Sequence, residues 1–204
     1  MASVADQSRE AGHVNVRRRG DALRKAIFDA VFAQLMEVGY TKLTMEGVAA
    51  AARTGKAALY RRWDSKDELV LDALQDVLPA PGEVPVHDDL RSDLVALLRF
   101  VQTAFNRTHG TVFLVVAAEA GGDSGIVRSV INDRIVNPSR KLLAEALERG
   151  VRRGEVAREA DIGLIAGIGP AMLITQCLTD AALISDDYVT SIVEKVLLPL
   201  TRLD

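Results

Sequence analysis

Thr44–Leu69 reads TMEGVAAAARTGKAALYRRWDSKDEL, and this stretch decides the fold. Met45–Ala52 is rich in alanine, the best helix former. Thr54-Gly55 breaks the pattern, and Lys56–Arg62 resumes it. Ala49, Ala50, Ala57 and Ala58 are small enough for two short helices to cross closely, with Val48, Ala52 and Leu59 spaced to meet at the crossing. This is the composition of a helix-turn-helix, whose second helix enters a DNA major groove. Ser65 followed three residues later by Glu68 is a capping box and predicts a third helix start. Leu69, Ala73, Leu74 and Val77 continue that helix at helical spacing.

Thr44, Val48-Ala49, Ala52, Leu59-Tyr60, Trp63, Ser65-Lys66 and Leu69 stand in an order and spacing that resembles the DNA-binding region of the tetracycline-repressor (TetR) family. The resemblance implies an all-α fold: an N-terminal three-helix helix-turn-helix domain and a C-terminal helical bundle for ligand binding and dimerisation. The sequence departs from the family at the turn. Arg53 stands where glycine is usual, Thr54 where an apolar residue is frequent, and Gly55 where serine is usual. A non-glycine residue in a left-handed turn carries strain. The turn is therefore either strained at Arg53 or slightly different in geometry, and Thr54 is placed to supply the missing cap.

DNA binding needs cations for phosphates and side chains that reach base edges. If Leu59 faces inward, Lys56 and Arg61 face outward. Arg53 and Thr54 sit at the groove-entering end of the second helix; Arg53 can pair with guanine or serve as a solvated turn residue. Ala57 permits close approach or a thymine-methyl contact, whereas Ala58 suits helix packing better. The resemblance assigns Thr44, Tyr60 and Lys66 to phosphate contacts. Trp63 reads as a core aromatic that locks the motif.

The charge is unevenly placed. Residues 1–66 hold 12 Lys/Arg against 7 Asp/Glu, and residues 67–204 hold 13 against 21. Attraction to phosphate is thus local to the N-terminal part. A hydrophobic content of 49% is enough for a real core, and one cysteine, Cys177, excludes an intrachain disulfide. There is no unbroken run of 18 apolar residues and no secretion signal, so no membrane partner and a cytoplasmic location are expected.

Residues 1–20 are expected to form a flexible basic tail, 21–66 the helix-turn-helix domain, and 67–204 the regulatory body. Arg17-Arg18-Arg19 can reach phosphates or a minor groove, or form a solvated helix entry. The first helix is predicted over about Asp21–Val38, with Leu23, Ile27, Ala30, Val31, Leu35 and Val38 as its stripe and Gly39 as its terminator. Pro79–Pro85 is the clearest breaker. Helices then follow over 88–106, 111–120, 126–151 (kinked or divided by Pro138), 161–184 and 187–203, with a turn at 121–125.

The last two helices, joined by Ser185-Asp186, carry more apolar surface than one small body needs; they are expected to form a homodimer through 161–184 and 187–203, the alternative being that they complete a monomeric core. The resemblance further implies a small-molecule inducer, largely apolar, in the body. Phe100, Phe105, Phe113, Val116 and Met172 are the candidate walls. Glu119, Asn132, Thr175 and Gln176 are the candidate polar contacts.

Enzyme chemistry finds no constellation. His13, His87 and His109 lack metal-ligand spacing, Cys177 has no nearby His or Cys, Asp88-Asp89 and Asp186-Asp187 look like helix starts, and there is no glycine-rich phosphate loop. No cofactor and no metal are expected. The reading is a homodimeric repressor that binds a palindromic double-stranded operator and is released by an inducer. The alternative is an all-helical small-molecule carrier or sensor without DNA binding.

Overall fold

The computed structural model describes residues 4–118, 125–180 and 183–202; the side chains of residues 4–19, 83 and 116–118 lie outside that description. The described residues form helices and no strand: α1 (Val4–Lys42), α2 (Met45–Ala51), α3 (Lys56–Tyr60), α4 (Lys66–Val77), α5 (Leu90–Thr108), α6 (Thr111–Ala118), α7 (Gly125–Ile131), α8 (Asn137–Arg153), α9 (Ile162–Thr179), α10 (Asp186–Ile192) and α11 (Leu198–Thr201). They pack as two compact units, one up to Ala73 and one from Leu74. The division falls inside α4, beyond the Lys66 boundary expected from the motif.

In the first unit, α1 begins at Val4, well ahead of the expected Asp21. The stretch read as a flexible tail is therefore helical backbone from Val4 on. Its composition permits this, because it holds no proline and Ala and Arg recur. The Arg17-Arg18-Arg19 side chains fall outside the description. Gly39 interrupts the helix at φ 76°, ψ 171°, a conformation open to glycine, so the predicted terminator is in place.

Ile27, Val31 and Leu35 of α1 and Val48, Leu59, Leu69 and Val70 of the helices that follow are all fully or almost fully buried. Each such side chain stabilises by roughly 1.5–3 kcal/mol. Trp63 belongs to this core as expected: its ring centroid lies 5.9 Å from that of Phe28. Its indole N–H donates to Asp72 at 3.0 Å, and Arg24 pairs with the other oxygen of Asp72 at 3.1 Å. The capping box forms with one change. Ser65 Oγ accepts from the Glu68 amide, but Glu68 reaches back to the amide of Asp64, one residue further than the standard box.

In the second unit, α5 is the central helix, packed by α8, α9 and α10. Its buried Asp93 accepts from Arg149 at 2.8 Å and from the His87 amide at 2.7 Å. Further along, Gln102 and Asn106 clamp the backbone of Ile184, which seats the segment leading into α10.

The predicted division at Pro138 is present: a π-helical turn over Asn132–Val136 precedes α8. The single last helix expected over 187–203 is interrupted in the same way, with a π turn at Val193–Leu197 followed by α11. In each case the proline comes two residues after the wide turn. A proline ring collides with the carbonyl four residues back, and a wider turn relieves that collision.

α9 ends at Thr179, short of the expected Ile184. Gly169 sits where a Cβ would come within 2.8 Å of Leu98, so its absence lets α9 lie close on α5. By length and composition, 18 residues at mean hydropathy 1.6, α9 could cross a membrane. A search for an unbroken apolar run misses this, because Gly, Pro, Thr and Gln interrupt it. Its inward stripe, Ile165, Ala166, Gly169, Leu173 and Cys177, packs as a core helix does. Only 28% of it is buried, and Leu164 and Leu178 stand exposed at 63% and 46%.

Candidate nucleic-acid interface and body cavity

Thr44 starts the interface. Its side chain caps α2 by accepting from the Gly47 amide at 3.1 Å, which leaves the hydroxyl proton free to donate outward. α2 closes in a Schellman pattern: the Thr54 amide reaches Ala49 O at 2.9 Å and the Arg53 amide reaches Ala50 O at 3.1 Å. The left-handed residue of that pattern is Arg53, at φ 52°. Of the two alternatives for the turn, strain at Arg53 with ordinary geometry is the one found. Thr54 does not cap α3. The N-cap is Gly55, which has no side chain to donate or accept, and α3 has no side-chain cap.

Leu59 is the buried residue of α3. Lys56, Ala57, Tyr60 and Arg61 are all exposed, and Ala58 is half-buried, as packing against α2 requires. The Lys56 ammonium lies 5.5 Å from the Tyr60 ring centroid, a cation–π distance. It also pairs with Glu46 of α2. Their hydrogen bond holds the Glu46 carboxyl below its ordinary range and raises the Lys56 ammonium above its own. Glu46 was not among the residues singled out from the sequence. The pair depends on how α2 crosses α3, and no local spacing announces it.

Lys66, expected at a phosphate, is engaged by the protein's own chain. Its ammonium donates to the carbonyls of Tyr40 and Thr41 at 3.1 and 3.4 Å and lies 4.7 Å from the Tyr40 ring centroid. A lysine satisfies the orphan carbonyls at the end of a helix, so here it braces α4 to the end of α1. Tyr40 completes the brace by donating its hydroxyl to Asp67.

The body holds a cavity of about 300 Å³. Gly167, Pro170, Ala171 and Ile174 line it from α9, one stripe at helical spacing. Val101, Phe113, Ile135 and Val136 face them, and Ser139 and Arg140 supply the polar groups. Of the seven expected ligand-pocket residues whose side chains are described, Phe113 alone lines this cavity. Phe105 stacks behind Phe113 at 3.9 Å, inside the core. Phe100 lines a separate groove of about 210 Å³ beside Pro79 and Pro85. Asn132 and Thr175 are exposed, and the Thr175 hydroxyl donates to Ala171 O. Gln176 reaches Asp180, and Met172 lies off the lining stripe. Glu119 and the side chain of Val116 lie outside the described residues.

Two sequence profiles match the chain. One described as "Bacterial regulatory proteins, tetR family" covers residues 27–73, and one described as "Tetracyclin repressor-like, C-terminal domain" covers 84–196. The DNA-binding transcriptional repressor TetR of Mycobacteroides abscessus is 31% identical over 90% of this chain and 96% of its own. An HTH-type transcriptional regulator of Mycobacterium tuberculosis is 32% identical over 82% of this chain and 83% of its own. Among solved structures, AibR in complex with isovaleryl coenzyme A and operator DNA shares the fold, with a TM-score of 0.65, 19% identity, and coverage of 86% of this chain and 98% of that one.

Proposed function

This chain belongs to the TetR family of bacterial helix-turn-helix transcriptional regulators, and from that premise we propose that it is a homodimeric repressor which an effector in its body releases from a palindromic operator. The observation that carries the DNA-binding part is the outward side of α3. Lys56, Ala57, Tyr60 and Arg61 stand free of the chain's own packing while Leu59 anchors the helix from behind. Arg61 and Lys56 supply charge to phosphates, and Tyr60 and Thr44 supply hydroxyl donors. Ala57 lets the helix approach the base edges. Arg53 and Thr54 sit at the leading end of α3, where Arg53 can reach a guanine. Lys66 steadies the unit through the carbonyls of Tyr40 and Thr41.

Pairing of two chains is supported by α9, which is mostly apolar yet mostly uncovered in the single chain. With its copy and the helices after Ser185 it would complete a four-helix interface and present two α3 helices to a two-fold operator. The effector reading is supported by the body cavity, whose walls are chiefly aliphatic and aromatic. Such an effector must favour the state of low operator affinity. The regulatory role implies a cytoplasmic protein.

A gel shift with the DNA that flanks its own coding region tests the proposal. A discrete complex at low salt that weakens as salt rises is the expected result. No complex at any salt would leave a helical ligand-binding protein without DNA function.

A further inference from the structure

Resting on the reading of the body cavity as the effector site, we propose that its ligand is a small monoanionic amphiphile: an apolar body of about eight to ten carbons with a carboxylate that Arg140 receives. The size follows from the space. At a molecular share of about 30 Å³ per water-sized group, a cavity of about 300 Å³ takes roughly ten. The apolar body follows from Val101, Phe113, Ile135, Pro170 and Ile174, which offer no donor or acceptor side chain.

The head group follows from the two polar residues. Ser139 is buried, but its hydroxyl already donates to Val136 O at 3.0 Å. Arg140 is exposed on the cavity's margin and forms no hydrogen bond or ion pair with any described residue. Its neighbour Lys141 is occupied with Glu145. None of the described lining residues is acidic. Among the described residues the site thus has one positive charge without a partner at the rim of an apolar hole. A guanidinium matches a carboxylate in a two-point geometry that neither an alcohol nor an amine reproduces.

Gly167 gives a clean way to close the hole. A Cβ built there meets no packed atom within 4 Å, so a side chain can start from this position of the lining without a clash at its first carbon. Binding of octanoate, 1-octanol and octylamine to the full-length protein, measured by calorimetry, tests the proposal. Octanoate should bind about tenfold more tightly than octanol, and octylamine should bind most weakly. Arg140→Gln should erase the preference for octanoate over octanol and leave octanol unchanged. Gly167→Leu should abolish both without lowering the thermal midpoint. Equal affinity for acid and alcohol, a preference that survives Arg140→Gln, or no binding of either would overturn it. Operator binding is measured separately, by gel shift without ligand. A failure here with a normal shift refutes the ligand class, whereas octanoate binding without any shift refutes the repressor reading.

Discussion

Glu46, in the first turn of α2, closes an ion pair on Lys56, the first residue of α3. The lysine offered to DNA is thus held, in the free protein, by a carboxylate on the same surface. Glu46 competes with operator phosphate for that ammonium. Exposed pairs of this kind are weak, so Glu46→Gln is expected to tighten operator binding a few-fold in fluorescence anisotropy. Unchanged or weaker binding would mean that Glu46 positions Lys56 and does not compete for it.

Arg53 occupies the left-handed position that ends α2. A side chain there costs about 1–2 kcal/mol, of which the greater freedom of an unfolded glycine chain takes back part. Arg53→Gly should therefore raise stability by about 0.5–1 kcal/mol, seen as a higher urea midpoint at unchanged slope. If Arg53 also reads a base, the same variant binds the operator less tightly although it is more stable. A loss of stability would show that the guanidinium contributes more to the fold than the backbone strain removes.

Leu164 is 63% exposed on α9. Sedimentation at micromolar concentration should give the mass of two chains. Leu164→Glu should shift it toward one, because an unpaired carboxylate resists burial in an apolar interface. A wild-type chain that sediments as a monomer would contradict dimerisation through this face.

Glu155 accepts the amide of Leu90, the first residue of α5, and pairs with Arg153. The arginine, and then that amide, hold its carboxyl below the ordinary value of 4.5. A carboxyl depressed on folding contributes stability that is present above its unfolded value and is lost as pH falls through the folded one. Wild type should therefore exceed Glu155→Gln in chemical stability near neutral pH, and the gap should close below about pH 4.5. A gap that is constant with pH would assign the loss to altered packing.

What was legible in the sequence was what is local. The capping box at Ser65 and the helix start at Asp88-Asp89 each act within three residues, and the structure has the Ser65 and Asp89 side chains accepting an amide. The strain at Arg53 was legible for the same reason: a left-handed turn position makes its demand on one residue. The lining of the cavity was not. α9 is apolar nearly all round, so no polar face fixes which stripe turns inward. Met172, Thr175 and Gln176 lie at other phases of α9 than Gly167, Pro170 and Ile174, which line the cavity. The partners of Glu46 and Lys66 come from other helices, and no local spacing announces them. The break at Pro199 was passed over although Pro138 had announced the same device.

The central claim is that the outward side of α3 meets the phosphates and bases of duplex DNA. The most direct test is the salt dependence of operator affinity for the wild type, Lys56→Ala and Arg61→Ala. The account predicts a linear fall of log affinity with log salt, and a slope reduced by about one for each cation removed. Slopes identical to that of the wild type in both variants would contradict it.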